Sequence, residues 1–172
     1  GRKQMLQKDL EQKLNEQLNF ELESAYVYFA LAAYMDSESL DGFASWMKVQ
    51  AQEEIAHAMR IYNYINDRGS RVTLASVPQP KGNFESVLDA FETALAHEIK
   101  LSERLNDLAE VARGAKDNTT YTFLDWFLTE QVEEVSSVQT ICDKLKLIGD
   151  NGYGLLMLSN ELGQRQPGQE GE

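Results

Sequence analysis

One stretch of this chain carries charge where a helix should be apolar. From about Leu40 to Arg68 apolar residues recur at Phe43, Met47, Ile61 and Tyr64, in the steps of three and four that mark one helix face. Carried through the middle, that stripe lands on Gln50, Glu54 and His57. A face that must be buried therefore holds a carboxylate and an imidazole one turn apart. Burying an unpaired charge costs several kcal/mol or more. The i, i+3 spacing of Glu54 and His57 lets both reach one metal ion.

Three more segments repeat the pattern. A first helix, from about Met5 to Met35, has the face Leu10, Leu14, Leu18, Glu21, Ala25, Tyr28, Ala32, Met35. A third, about Phe84 to Arg113, reads Phe84, Val87, Phe91, Ala94, Glu98, Leu101, Leu105, Leu108, Ala112. A fourth, about Thr119 to Ile148, reads Phe123, Phe127, Gln131, Glu134, Val138, Ile141, Leu145, Ile148. Each stripe is broken near its midpoint by polar residues: Glu21, Glu54 with His57, Glu98, and Gln131 with Glu134. Helices of equal length in a bundle align their centres, so these groups converge at the waist of one core. Four carboxylates held together without a cation repel, and most must protonate. Two divalent cations balance Glu21, Glu54, Glu98 and Glu134. Oxygen-rich ligation with one imidazole suits iron or manganese, with zinc as a competitor.

The connections define the topology. Asp36-Ser37-Glu38-Ser39 is short, so the first two helices are antiparallel neighbours, with Ser37 or Ser39 expected to cap the second. Arg68-Gly69 ends the second helix. Ser70 to Gly82, holding Pro78 and Pro80, is the one long connection; about a dozen extended residues at roughly 3.3 Å each run the length of a bundle. Gly114 closes the third helix, and Asp117-Asn118-Thr119-Thr120 caps the fourth. Tyr153 to Leu162 is leucine-rich and too short to stand alone, so it must dock. The polar tail from Gly163 to Glu172, with Pro167, is expected to be disordered. The expectation is one all-α domain over residues 1–172, a four-helix bundle with one long crossover.

Composition narrows the function. A formal net charge of −12 argues against nucleic acid and suits cations. No stretch is apolar enough to span a membrane, and no signal peptide is visible. A single cysteine, Cys142, leaves no internal disulfide and points to a reducing, cytoplasmic compartment.

The chain resembles a ferritin over nearly its whole length. The motifs are Leu14-Asn15-Glu16-Gln17-Leu18-Asn19-Phe20-Glu21, Ala51-Gln52-Glu53-Glu54-Ile55-Ala56-His57, His97-Glu98 and Glu130-Gln131-Val132-Glu133-Glu134. They resemble the prokaryotic non-haem branch most. The resemblance implies iron storage in a hollow cage of 24 subunits, with oxidation of paired Fe(II) by dioxygen at a di-iron centre in each subunit. It implies that Glu21, Glu54 and His57 hold the first iron, and that Glu54 bridges to a second held by Glu98 and Glu134. It places Gln131 within hydrogen-bonding reach of the first iron or its oxygen ligand, and Glu53, Glu130 and Glu133 at a third iron site; the alternative for those three is solvated helix faces. Tyr28 either donates an electron to oxygen or is a core tyrosine satisfied by a carboxylate.

Departures from neighbouring branches matter. Related di-iron proteins carry a second Glu-x-x-His on the fourth helix; here it reads Glu134-Val135-Ser136-Ser137. Ser137 leaves the second iron with oxygen ligands only. The haem-binding Met of bacterioferritins falls at Ile55, so no haem is expected. No paired Cys-x-x-Cys supplies a rubrerythrin-type module. Trp126 is read as packing, His97 as surface or interface, Cys142 as a buried inert thiol, and Asp117 as a candidate lining of an entry channel. A di-iron oxygenase acting on an organic substrate is disfavoured by Ser137. A plain interaction bundle leaves the four midpoints unexplained. A mini-ferritin of the DNA-protecting kind would place its ligands between subunits and lack the fifth helix.

Overall fold

The computed structural model describes residues 6–168. The element order is α1 (Lys8–Ser37), α2 (Asp41–Asp67), α3 (Val87–Gly114), α4 (Asn118–Ile148) and α5 (Gly152–Leu162), with no strand among the described residues. The expected start of the first helix at Met5 and the end of the tail at Glu172 lie outside those residues.

Local chemistry sets most of the ends. Ser86 accepts a hydrogen bond from the Asp89 N–H, so α3 starts at Val87, a turn after the expected Phe84. Asp117 accepts from the Thr120 N–H and caps α4; Asn151 does the same for α5. Neither Ser37 nor Ser39 caps α2. Ser37 turns its hydroxyl back to the Tyr34 carbonyl, Ser39 sits at φ 58 in the turn, and the cap position is Leu40 without a side-chain acceptor.

The short links make α1 with α2, and α3 with α4, antiparallel hairpins. The crossover carries the chain between them and is pinned along α1. The Asn15 side chain donates to the Arg71 carbonyl at 3.0 Å and accepts from the Thr73 N–H at 2.7 Å. One turn on, Asn19 donates to the Ser76 carbonyl and accepts from the Ala75 N–H. Two amides thus satisfy backbone groups that an extended segment would otherwise leave to water. The crossover runs in the direction of α1, so α2 and α3 point the same way.

The core is divided in two. One cluster gathers Tyr28, Leu31, Met35, Phe43, Met47, Phe91 and Val138 around the α1–α2 turn. The other gathers Leu10, Leu14, Leu18, Ile61, Leu101, Leu105 and Phe127 at the opposite end. The polar waist separates them. Each cluster removes large apolar side chains from water, at about 25 cal/mol per Å² of apolar surface, and this holds the waist in place. α5 docks back on α2, where a Cβ on Gly42 would lie 1.8 Å from the Ser159 carbonyl oxygen. Only glycine allows that approach.

The tail departs from expectation. Through Arg165 it is held against α2 rather than left free, because Arg165 finds partners there. Among the described residues no helix is long and apolar enough to cross a membrane.

Candidate metal centre

The polar residues at the four helix midpoints meet. Glu21, Glu54, Glu98, Gln131, Glu134 and His57 are all buried between the two apolar clusters. Glu21 and Glu98 are fully buried, at 0% exposure. Each is fixed by the register of its own helix, since the apolar neighbours three and four residues away anchor that face in the core.

Three groups have ligand atoms within 4.8 Å of one another: Glu21, Glu54 and His57; Glu54, Glu98 and Glu134; and His57, Glu130 and Glu134. Glu54 belongs to the first two, which makes it the shared residue. In the first group His57 Nδ1 lies 3.4 Å from Glu54 Oε2 and 3.9 Å from Glu21 Oε2. Both of those oxygens are buried without a hydrogen-bond partner. Buried carboxylate oxygens without donors are costly, and a cation between them is the direct remedy. The residues therefore fit a divalent ion with oxygen and nitrogen ligands.

Neutral donors hold the other carboxylate oxygens. Tyr28 donates to Glu98 Oε1 at 2.5 Å, and Gln131 Nε2 donates to Glu98 Oε2 at 2.6 Å. Gln50 Nε2 donates to both Glu54 Oε1 at 3.1 Å and Glu134 Oε2 at 2.6 Å. Gln17 Nε2 donates to Glu21 Oε1 at 3.3 Å. The Gln131 amide holds Glu98 across the α3–α4 hairpin. Gln50 and Gln17 had no role assigned from sequence. Their signal was legible, since both lie one turn before a buried glutamate.

Without a cation these groups compete for protons. Burial, then the Glu54 charge, raises the Glu98 pKa to about 8. The same causes push Glu21 and Glu134 well above the usual carboxylate range. Burial works against ionised Glu54 too, but the close approach and charge of His57, with the neighbouring Glu21 carboxyl and the hydrogen bond from Gln50, carry it down to about 2. Burial lowers the His57 pKa and the Glu54 contact more than offsets it, so His57 is raised. The waist thus sets one lowered carboxyl, Glu54, beside a raised imidazole, His57, among three raised carboxyls, Glu21, Glu98 and Glu134.

The remaining candidates are distributed around this core. Glu53 pairs with Arg165 at 2.9 Å, Glu130 belongs to the third group, and Glu133 is exposed and joins none of the three. Tyr28 is fully buried. Trp126 meets His57 edge-on, centroids 5.4 Å apart, while Arg60 covers its ring. Ser137 is exposed, one turn beyond Glu134. His97 is half-buried: it stacks on Phe20 and lies 2.6 Å from the Ser24 hydroxyl, where burial lowers its pKa. Asp117 is tied to Arg68 at 2.8 Å besides capping α4, so its charge is neutralised rather than offered to a channel. Cys142 is fully buried, and burial pushes its thiol up to about 11.

Comparison with known proteins agrees with this geometry. A family model described as a ferritin-like domain matches residues 11–148. The bacterial non-haem ferritin of Staphylococcus aureus is 45% identical over 161 residues, 94% of this chain and 97% of that protein. The protein of that name from Staphylococcus haemolyticus matches to the same extent. Among solved structures, an open-pore ferritin from the hyperthermophilic archaeon Archaeoglobus fulgidus superposes with a TM-score of 0.93 at 43% identity, covering 94% of this chain and 99% of that one. Four polar midpoints that could hold cations, set in a fold and a sequence shared along almost their full length with such proteins, leave one assignment: the chain belongs to the ferritin family, in its prokaryotic non-haem branch.

Proposed function

We propose that this chain is the subunit of an iron-storing cage and that its waist is a ferroxidase centre, oxidising Fe(II) with dioxygen. The observation that carries the reading is the pair of ligand groups that share Glu54. One Fe(II) sits among Glu21, Glu54 and His57, and the second among Glu54, Glu98 and Glu134. Iron is the substrate here. Each Fe(II) gives one electron to dioxygen, and the chain supplies position and charge.

The residues divide the work. Glu54 holds both ions at one spacing. His57 gives the single nitrogen ligand, 3.4 Å from Glu54 Oε2. Tyr28 and Gln131 fix Glu98 through its two oxygens, and Gln50 fixes one oxygen of Glu134, so both carboxylates are held in orientation at the second position. Glu130, next to His57 and Glu134, supports a third position towards which ferric product moves. Glu53 and Glu133 complete that position when an ion is present. Ile55 offers no haem ligand, so the reading includes no haem.

Assembly follows from unpartnered apolar surface. Tyr153, Leu156 and Met157 on α5 are exposed in the isolated chain, at 75%, 55% and 55%. A closed homo-oligomer of 24 copies covers such a face around a symmetry axis. Two measurements test the proposal. Stopped-flow titration with Fe(II) in air gives a fast phase that saturates at about two Fe(II) per chain, one for each ligand group. Light scattering gives a mass many times the single-chain 19.5 kDa. A slow, unsaturable oxidation, or a monomer mass, overturns the corresponding half.

A further inference from the structure

Arg165 lies beyond α5, more than a hundred residues from Gln50 and Glu53 on α2, yet it reaches them. Its Nη1 donates to Gln50 Oε1 at 2.9 Å, and its Nη2 donates to Glu53 Oε2 at 2.9 Å. Its guanidinium lies 4.7 Å from the centroid of the Trp46 ring. Trp46, Gln50 and Glu53 follow one ridge of α2 at helical spacing, and the arginine spans all three. The approach is built in: Gly163 packs so closely on Gly42 that an added Cβ would lie 2.9 Å from the Gly42 Cα. That contact delivers the tail to the ridge.

The Gln50 contact has a chemical consequence. A guanidinium only donates hydrogen bonds, so the Gln50 oxygen must face Arg165. The amide nitrogen must then face the other way, towards Glu54 and Glu134, where both of its N–H groups are used. Arg165 therefore fixes which end of Gln50 meets the carboxylates. The Glu53 contact has a second consequence. A fixed positive charge already sits on a carboxylate that a third cation would need.

We infer that Arg165 is a positioning residue of the metal centre and the resident cation of its third position: it orients Gln50 towards Glu54 and Glu134, and a third divalent ion binds at Glu53 only by displacing it. The inference rests on the reading of the waist as a two-ion centre. Displacement by a third ion releases Gln50 and loosens Glu134, which couples filling of the third position to release of the second.

Zn(II), which is not oxidised, separates these statements in the assembled protein. Calorimetric titration of the unsubstituted protein gives two strong sites per chain and a weaker third. Arg165→Ala strengthens the third site by about tenfold, the scale of one removed competing charge, and weakens the site containing Glu134 by a few fold. Arg165→Lys keeps the charge but not the two-pronged contact, so the third site stays weak while the Glu134 site still loosens. In a Glu53→Gln background Arg165→Ala no longer affects the third site. Thermal melting and light scattering confirm that each variant folds and assembles. If the unsubstituted protein lacks the two strong sites, the two-ion reading itself fails. If it has them and Arg165→Ala leaves the third site within twofold of its starting affinity, or leaves it undetectable, the role of Arg165 is refuted.

Discussion

The two ion positions share Glu54 and differ in almost everything else. In the first, the buried oxygens Glu21 Oε2 and Glu54 Oε2 have no donor and face an imidazole. In the second, both oxygens of Glu98 and one of Glu134 are held by Tyr28, Gln131 and Gln50. The first group is open towards a cation. The second is propped by neutral donors; burial raises the carboxyls of both groups, Glu21 in the first and Glu98 and Glu134 in the second, so it does not separate them. Ligand chemistry does, because only the first position has a nitrogen ligand. On the proposed reading, a centre built like this would fill in order and let go of its second ion more easily.

The comparison breaks most sharply at the shared residue. Glu54→Ala removes a ligand from both positions, and fast Fe(II) oxidation falls by more than about 100-fold, beyond the range seen when supporting residues are lost. The cage still assembles, because Glu54 makes no contact outside the waist. Stopped-flow oxidation beside light scattering reads both; an undiminished fast phase removes Glu54 from the chemistry.

A pH series on metal-free protein probes the propped half. Glu98 has a pKa of about 8 in the fold and an ordinary carboxyl value when unfolded. The native state therefore holds more protons between those values. Its contribution to stability is full below the unfolded pKa and is lost as pH rises through 8. Glu21 and Glu134 are raised as well and act in the same direction. Denaturant melts of metal-free protein show a decline on the order of a few kcal/mol from pH 5 to pH 8. Zn(II) reverses it at pH 8. A flat profile means that the waist is already balanced without metal.

Ser137→His sharpens the asymmetry by narrowing it. The residue is exposed one turn past Glu134, so the helix accepts the larger side chain. A second imidazole strengthens the second position by roughly tenfold, in the range of a single tuned ligand, and slows turnover by retaining product. Unchanged Zn(II) affinity shows that residues 134 and 137 do not face one ion. The smallest effect is at Tyr28. Tyr28→Phe leaves Glu98 Oε1 without its donor and lowers stability by about 1–3 kcal/mol. If Tyr28 only props Glu98, the oxidation rate drops a few fold; a much larger drop with stability intact assigns it a redox role.

The halves of the structure were unequally legible in the sequence. Glu21, Glu54, His57, Glu98 and Glu134 were legible because a polar residue on an apolar stripe stands out, and equal helices align their midpoints. The supports were not. Arg165 meets Gln50 and Glu53 across more than a hundred residues, and nothing local in a polar tail announces it. Asn15 and Asn19 pin the crossover through backbone groups, which carry no sequence signature. His97 sits beside Glu98 on a flank that reads as exposed, and the neighbouring α1, through Phe20 and Ser24, covers part of it. Periodicity reports which face of a helix is buried. It does not report which distant side chain completes a hydrogen bond.

The central claim is that two cations share Glu54 and that the position holding His57 fills first. Crystals soaked at a series of Fe(II) concentrations under anaerobic conditions, with anomalous scattering recorded at the iron edge, test it directly. The account predicts two peaks at the waist, one among Glu21, Glu54 and His57 that saturates at low iron, and one among Glu54, Glu98 and Glu134 that rises later. A single peak, equal filling of the two, or iron bound only away from Glu54 would contradict it.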